Sequence, residues 1–154
     1  MTPLSPAQAR HVRRETLISI AINAALSALF CVLVFHGRSL IAPREIVFDA
    51  LPQSFMIALM TTIVPTLLTR RRLRSGSLER IRSGPALLPR NLLGRALVVA
   101  ALAAAAGFAL NALIVPRIAG AWSFEATLTF KVAYGGLLAS LCAPILLRTA
   151  LADG

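Results

Sequence analysis

Four long apolar runs, separated by short polar segments, set the pattern of the chain. The first, Thr16–His36, has no charge before its terminal histidine. The second covers Ala50–Thr69, and the third Ala96–Val115, where Pro116 is expected to stop it because proline lacks a helical N–H donor. The fourth, Ser123–Arg148, is apolar from Ala126 except at Lys131. A helix needs about 20 apolar residues to cross roughly 30 Å of hydrocarbon. The pattern therefore predicts an all-α membrane protein with four transmembrane helices in a single integral membrane domain, residues 1–154. A barrel would show alternating segments of about ten residues instead of solid runs. The connections of 13, 26 and 7 residues are too short to bury cores of their own.

The first run follows Arg10, Arg13 and Arg14 and has the look of a leader peptide. Its apolar stretch is too long for one, and the small residue at Ala42 is followed at once by Pro43, so it reads as an uncleaved first helix. Composition agrees with lipid as the solvent. Hydrophobic residues make up 57% and charged residues 14%, with a mean hydropathy of +0.77. Soluble domains carry roughly 45–50% apolar and about 25% charged residues.

The net charge of +10 is unevenly placed. Twelve arginines fall in the N-terminal tail, the 70–95 connection and the C-terminal end, against three, Arg38, Arg44 and Arg117, in the two opposite loops. The positive-inside rule then puts both termini and the basic connection on the cytoplasmic side. That connection has no aromatic residue to stack on a base and no nucleic-acid motif, so nucleic acid is not an expected partner. Anionic lipid headgroups are, at about 1 kcal/mol per basic residue. Short amphipathic pieces, Leu78–Ile81 and Ala86–Leu93, are expected to lie along the interface.

The two halves of the chain resemble each other. Phe48-Asp49-Ala50 opens the second run and Phe124-Glu125-Ala126 the fourth, and each run closes on a proline followed by apolar residues and arginine, at Pro65 and Pro144. Two tandem hairpins of parallel orientation would give this pattern, as would chance likeness between apolar helices. At Asp49-Ala50-Leu51-Pro52-Gln53-Ser54-Phe55, and on to Pro65 and the arginines from Arg70, the chain also resembles small uncharacterised bacterial four-helix inner-membrane proteins. The resemblance covers about one helix and implies a bacterial inner membrane without implying an activity.

Lys131 is the one ionisable residue well inside a run, and such residues are functional candidates. It would either snorkel to the interface or join a polar vestibule with Asp49, Gln53, Asn111 and Glu125. Ser19, Asn23, Ser27 and Cys31 repeat every four residues, which places them on one helix face suited to interhelical hydrogen bonds. Small residues, Ala103 and Gly107 in the third helix and Gly135, Gly136, Ala139, Ser140 and Ala143 in the fourth, would let helices three and four pack closely, or contact another copy. Pro65 and Pro144 are expected kinks.

Chemistry is sparse. Cys31 and Cys142 form no metal or redox motif, and neither histidine has ligand spacing. There is no phosphate loop, dinucleotide glycine pattern, nucleophile elbow or carboxylate pair. The sequence thus points to no enzyme and no cofactor. It leaves three classes open: a component that packs with itself or another membrane protein, a small oligomeric transporter or channel built around the vestibule residues, and an enzyme accessory that acts on lipids through the arginine-rich loop.

Overall fold

The computed structural model describes residues 4–81, 91–118 and 120–152. They form four helices, α1 (Pro6–Phe35), α2 (Pro43–Arg74), α3 (Leu92–Ile118) and α4 (Phe124–Ala152), and two short strands, β1 (Leu40–Ile41) and β2 (Trp122–Ser123). All four helices are long and apolar enough to cross a membrane. Each outruns its apolar stretch, and local sequence explains where α1 and α2 begin. Ser5 and Gln8 form a capping box ahead of Pro6, with the Ser5 N–H donating to Gln8 Oε1 at 2.8 Å. Pro43 opens α2, whose first turn is closed by the Ala42 N–H donating to Glu45 Oε2 at 2.9 Å. Gly76 turns the chain out of α2 with φ of 71°, a conformation that costs glycine little.

Burial is inverted relative to a water-soluble bundle. Ser19, Asn23, Ser27, Ser54, Thr61, Thr62, Asn111 and Lys131 are buried, while Leu17, Leu29, Leu33, Leu102, Leu113, Leu137 and Ile145 are more than half exposed. Leucine on the outside gains nothing in water but is at no disadvantage against lipid tails, and the interior polar groups bond one another. The chain is a multi-pass membrane protein.

Helices adjacent in sequence are not the ones that pack most closely. α1 lies against α4, α2 against α3, and α2 and α4 meet in the centre. α1 scarcely touches α2, and α3 touches α4 less still. Each hairpin is therefore splayed and interleaved with the other. β1 and β2 join the two loops as an antiparallel pair, Leu40 opposite Ser123 and Ile41 opposite Trp122. Exchanging the hairpins preserves every one of these contacts, as expected of a tandem duplication. The strand pair fixes the register differently from the sequence match, however. Its two-fold carries Leu40 onto Trp122, and the same step carries Asp49 onto Lys131 instead of onto Glu125.

Several expectations are corrected. The α4 stripe of Gly135, Ala139 and Ala143 is buried in the bundle, and a Cβ on Gly135 would strike Ser27 and the Asn23 carbonyl of α1. This stripe therefore serves α1, not helix three. In α3 the close-approach face runs through Ala96, Ala100, Ala104 and Gly107, so Ala104 replaces Ala103, and Gly107 abuts Ser54 of α2 and Tyr134 of α4. Gly136 and Ser140 sit beside the stripe, half-buried. Pro116 does not stop α3, which continues to Ile118, since a proline near a helix end forfeits only one late hydrogen bond. Pro65 and Pro144 are inside continuous helices.

Residues 78–81 are not helical, so they do not form the amphipathic helix expected. Leu78 and Ile81 pack under the bundle against Val12, Leu147 and Leu151, and the Ile81 N–H donates to the Leu151 carbonyl at 3.2 Å. Of the second amphipathic piece, residues 86–90 lie outside the described residues, and Leu92–Leu93 begin α3. Arg95, counted above with the connection, is inside α3 and fully buried.

Candidate functional site

Two turns into α2 and α4 from the loop end, Asp49 and Lys131 point toward each other across the centre of the bundle. Lys131 Nζ donates to Asp49 Oδ2 and, at 2.9 Å, to Gln53 Oε1, and it lies 5.9 Å from the centre of the Phe35 ring. The lysine side chain is 2% exposed, which excludes snorkelling; its charge stays inside because an acid, an amide and an aromatic face receive it. Gln53 holds the arrangement from behind, its Nε2 donating to Ser27 Oγ at 2.9 Å and to the Lys131 carbonyl at 3.2 Å. One amide side chain thus ties α1, α2 and α4 together.

The vestibule expected from sequence is therefore half assembled. Asp49, Gln53 and Lys131 come together, joined by Ser27. Glu125 does not join them: it is exposed in the first turn of α4, six residues before Lys131 and on a different face. Asn111 is buried elsewhere, its Nδ2 donating to the Gly107 carbonyl at 2.8 Å, in a cleft between α3 and α4 shared with Tyr134.

Because α1 and α2 are splayed, a groove of about 200 Å³ opens between them. Its walls are apolar, from Leu26, Phe30, Pro52, Met56, Ile57 and Met60. The rim residues Phe30, Met56 and Met60 are exposed on the same surface as the lipid-facing leucines, so the groove opens sideways toward lipid. Its polar floor is made by Asn23, Ser27, Asp49 and Gln53. Asn23 is 3% exposed; its Nδ2 donates to the Ser19 carbonyl at 2.8 Å and to Thr61 Oγ1 at 3.1 Å, while its Oδ1 has no hydrogen-bond partner among the described residues. Of the floor residues, the Asp49 carboxylate, 22% exposed, is open to whatever enters, whereas Asn23 Oδ1 is itself buried. Among the described residues there is no cluster of three metal-ligating side chains.

A second polar cluster lies at the end of the bundle that carries the chain termini, and sequence reading missed it. His11 and Glu15 of α1 meet Thr69 and Arg72 of α2. Arg72 Nη1 lies 3.3 Å from His11 Nδ1, and a guanidinium can only donate, so Nδ1 accepts and Nε2 carries the proton toward Thr69 Oγ1 at 3.0 Å. His11 precedes the uncharged stretch that starts at Thr16, outside the hydrocarbon. Burial holds its imidazole below the ordinary histidine range, against Glu15 and with Arg72 and Arg14. The four-residue spacing of His11 and Glu15 was the available signal, visible only once the helix is known to begin at Pro6.

No protein-family model, curated protein or solved structure matches this chain. The functional reading rests on the geometry alone.

Proposed function

We propose that the protein is a non-enzymatic component of a bacterial inner membrane that holds an amphipathic ligand in the α1–α2 groove. Both termini and the basic 70–95 connection face the cytoplasm, where the arginines meet anionic headgroups. The observation that carries the reading is the partly exposed Asp49 carboxylate on a polar floor between apolar walls. A ligand head that donates a hydrogen bond finds a charged acceptor there, a contact worth about 1.5–3 kcal/mol. The apolar walls and the side opening suit a hydrocarbon tail. Asp49, partly exposed at 22% where Lys131 is not, favours a head that is a hydroxyl or an ammonium over an anion.

The small-residue stripes, which sequence alone assigns to packing between helices three and four or to contact with another copy, are consumed within the bundle. They no longer favour a packing component over a ligand-binding one, and the Asp49–Lys131 pair stays as an internal counter-charge beside the groove.

The test is native mass spectrometry of the whole protein in nanodiscs with a long-chain primary amine and the matching alcohol as probes. Retention of either probe by the natural chain, and its loss in Met56→Trp with helicity unchanged, supports the groove. Equal retention by both proteins refutes it. A partner helix as the occupant would show instead as a cross-link from residue 56 to another protein.

A further inference from the structure

A cavity of about 300 Å³ lies beyond the His11 cluster, lined by Arg10, His11 and Arg14 of α1 and by Arg72, Ser77 and Leu78 at the end of α2. Arg72 is fixed in the wall by Glu15 at 3.6 Å and His11 at 3.3 Å. Arg10 and Arg14 stand one turn apart on α1, both exposed, and neither makes an ion pair among the described residues. Like charges at this spacing repel, and an anion held between them turns the repulsion into attraction. Glu15 is 4% exposed and already engaged by Arg72, so it offsets that arginine and leaves the charges of Arg10 and Arg14 uncompensated.

We propose that this cavity binds a phosphate group, and that the phosphate is carried by an anionic lipid. Three forked guanidinium donors around one cavity match the several oxygens of a phosphate better than a single carboxylate. The place selects the lipid. Arg14 is two residues before Thr16, and Leu17 and Ile18 beyond it are exposed to the hydrocarbon, so the cavity stands at headgroup depth. Leu78 in the wall gives the glycerol end an apolar contact. The site is independent of the groove: it lies at the opposite end of the bundle and shares no residue with it.

The experiment uses the full chain in nanodiscs of zwitterionic lipid doped with phosphatidic acid, with lipid retention read by native mass spectrometry and free inorganic phosphate as a competitor. The variants are R10A/R14A and, as a control of equal charge, R71A/R74A, whose residues are exposed and outside the cavity. Retention of phosphatidic acid is expected to fall at least about tenfold in R10A/R14A and less than about threefold in R71A/R74A, the range of one to two lost charge-assisted contacts. R10K/R14K, which keeps charge and loses the forked donors, is expected between them and serves if R10A/R14A loses helicity. Equal losses in the alanine pairs would reduce the effect to diffuse surface charge and overturn the site. Displacement of the lipid by millimolar-range inorganic phosphate would keep the phosphate site but overturn the lipid as its source.

Discussion

Asp49 and Lys131, bonded to each other at the centre of the bundle, stand 82 residues apart, the separation that the strand pair imposes on Leu40 and Trp122. The pair has a directional consequence. Removing one partner leaves a buried charge alone, at a cost of about 3–5 kcal/mol, whereas replacing both with apolar residues is close to neutral. Lys131→Met and Asp49→Leu are each expected to lower the unfolding midpoint in detergent strongly, and the double variant to recover most of the loss. The exchanged pair, D49K/K131D, is expected to recover part of it. Additive losses in the double variant would show that the two side chains do not act as a unit.

The α1–α4 contact depends on one glycine and not on its neighbour. A Cβ at Gly135 would collide with Ser27 Oγ and stand 3.2 Å from the Asn23 backbone carbonyl, which cannot rotate away. At Gly136 the nearest atom is Ile20 Cγ2 at 3.6 Å, an ordinary contact. Gly135→Ala is expected to cost about 1–3 kcal/mol by overpacking, and Gly136→Ala less than about 0.5 kcal/mol. Denaturant titration of the two variants side by side checks the contrast; equal costs would place α1 further from α4 than the structure has it.

What could be read from sequence followed from solvent. Twenty-residue apolar runs identify spans because every backbone group must be satisfied inside lipid, and the Ser19-Asn23-Ser27-Cys31 stripe is buried as its spacing requires. The choice of neighbours was not legible. A glycine stripe signals close approach without saying to which helix, and Gly135 selects α1 because Ser27 and Asn23 supply the complementary surface. Lys131 illustrates the same limit. Its snorkelling distance was computable from rise per residue, but burial was decided by Asp49, 82 residues away. The repeat was visible and misregistered, because the phenylalanine–acid match at Phe48 and Phe124 is short and the β1–β2 pairing lies in loops with no strand pattern. Glu125 was drawn into the site by its depth near the same outer end as Asp49 and Gln53, and depth does not fix which face of a helix a residue is on.

The strand pair itself gives a prediction about how the hairpins are joined. Leu40 and Ser123 are directly opposite in an antiparallel pair, where Cα atoms stand about 4.5–5.5 Å apart, within disulfide reach. With Cys31 and Cys142 replaced by alanine, L40C/S123C is expected to oxidise to an intramolecular disulfide, seen as faster migration on a non-reducing denaturing gel. F48C/S123C places one cysteine inside α2, away from the pair, and is expected to remain reduced. Equal oxidation of both would mean that the two loops are not held in the register described.

Acid should loosen the end of the bundle that carries the termini before the rest. The His11 imidazole is buried and neutral, accepting from Arg72 through Nδ1, and burial first, opposed by Glu15 and reinforced by Arg72 and Arg14, sets its proton affinity below the ordinary value of 6.5. The unfolded chain then binds a proton to this residue more readily than the folded one, so stability falls as pH drops below about 6.5 and continues to fall until the folded histidine also titrates. Protonation at Nδ1 removes the acceptor for Arg72 and places a second cation beside Arg14. Hydrogen exchange is expected to accelerate with acidification in residues 8–15 and 69–81, the segments joined by the Gln8 amide donating to the Glu79 carbonyl at 2.9 Å. His11→Gln cannot titrate and keeps a donor for Thr69, so its exchange in those segments should change much less with pH. An unaltered pH profile in that variant would show that His11 is not the group responsible.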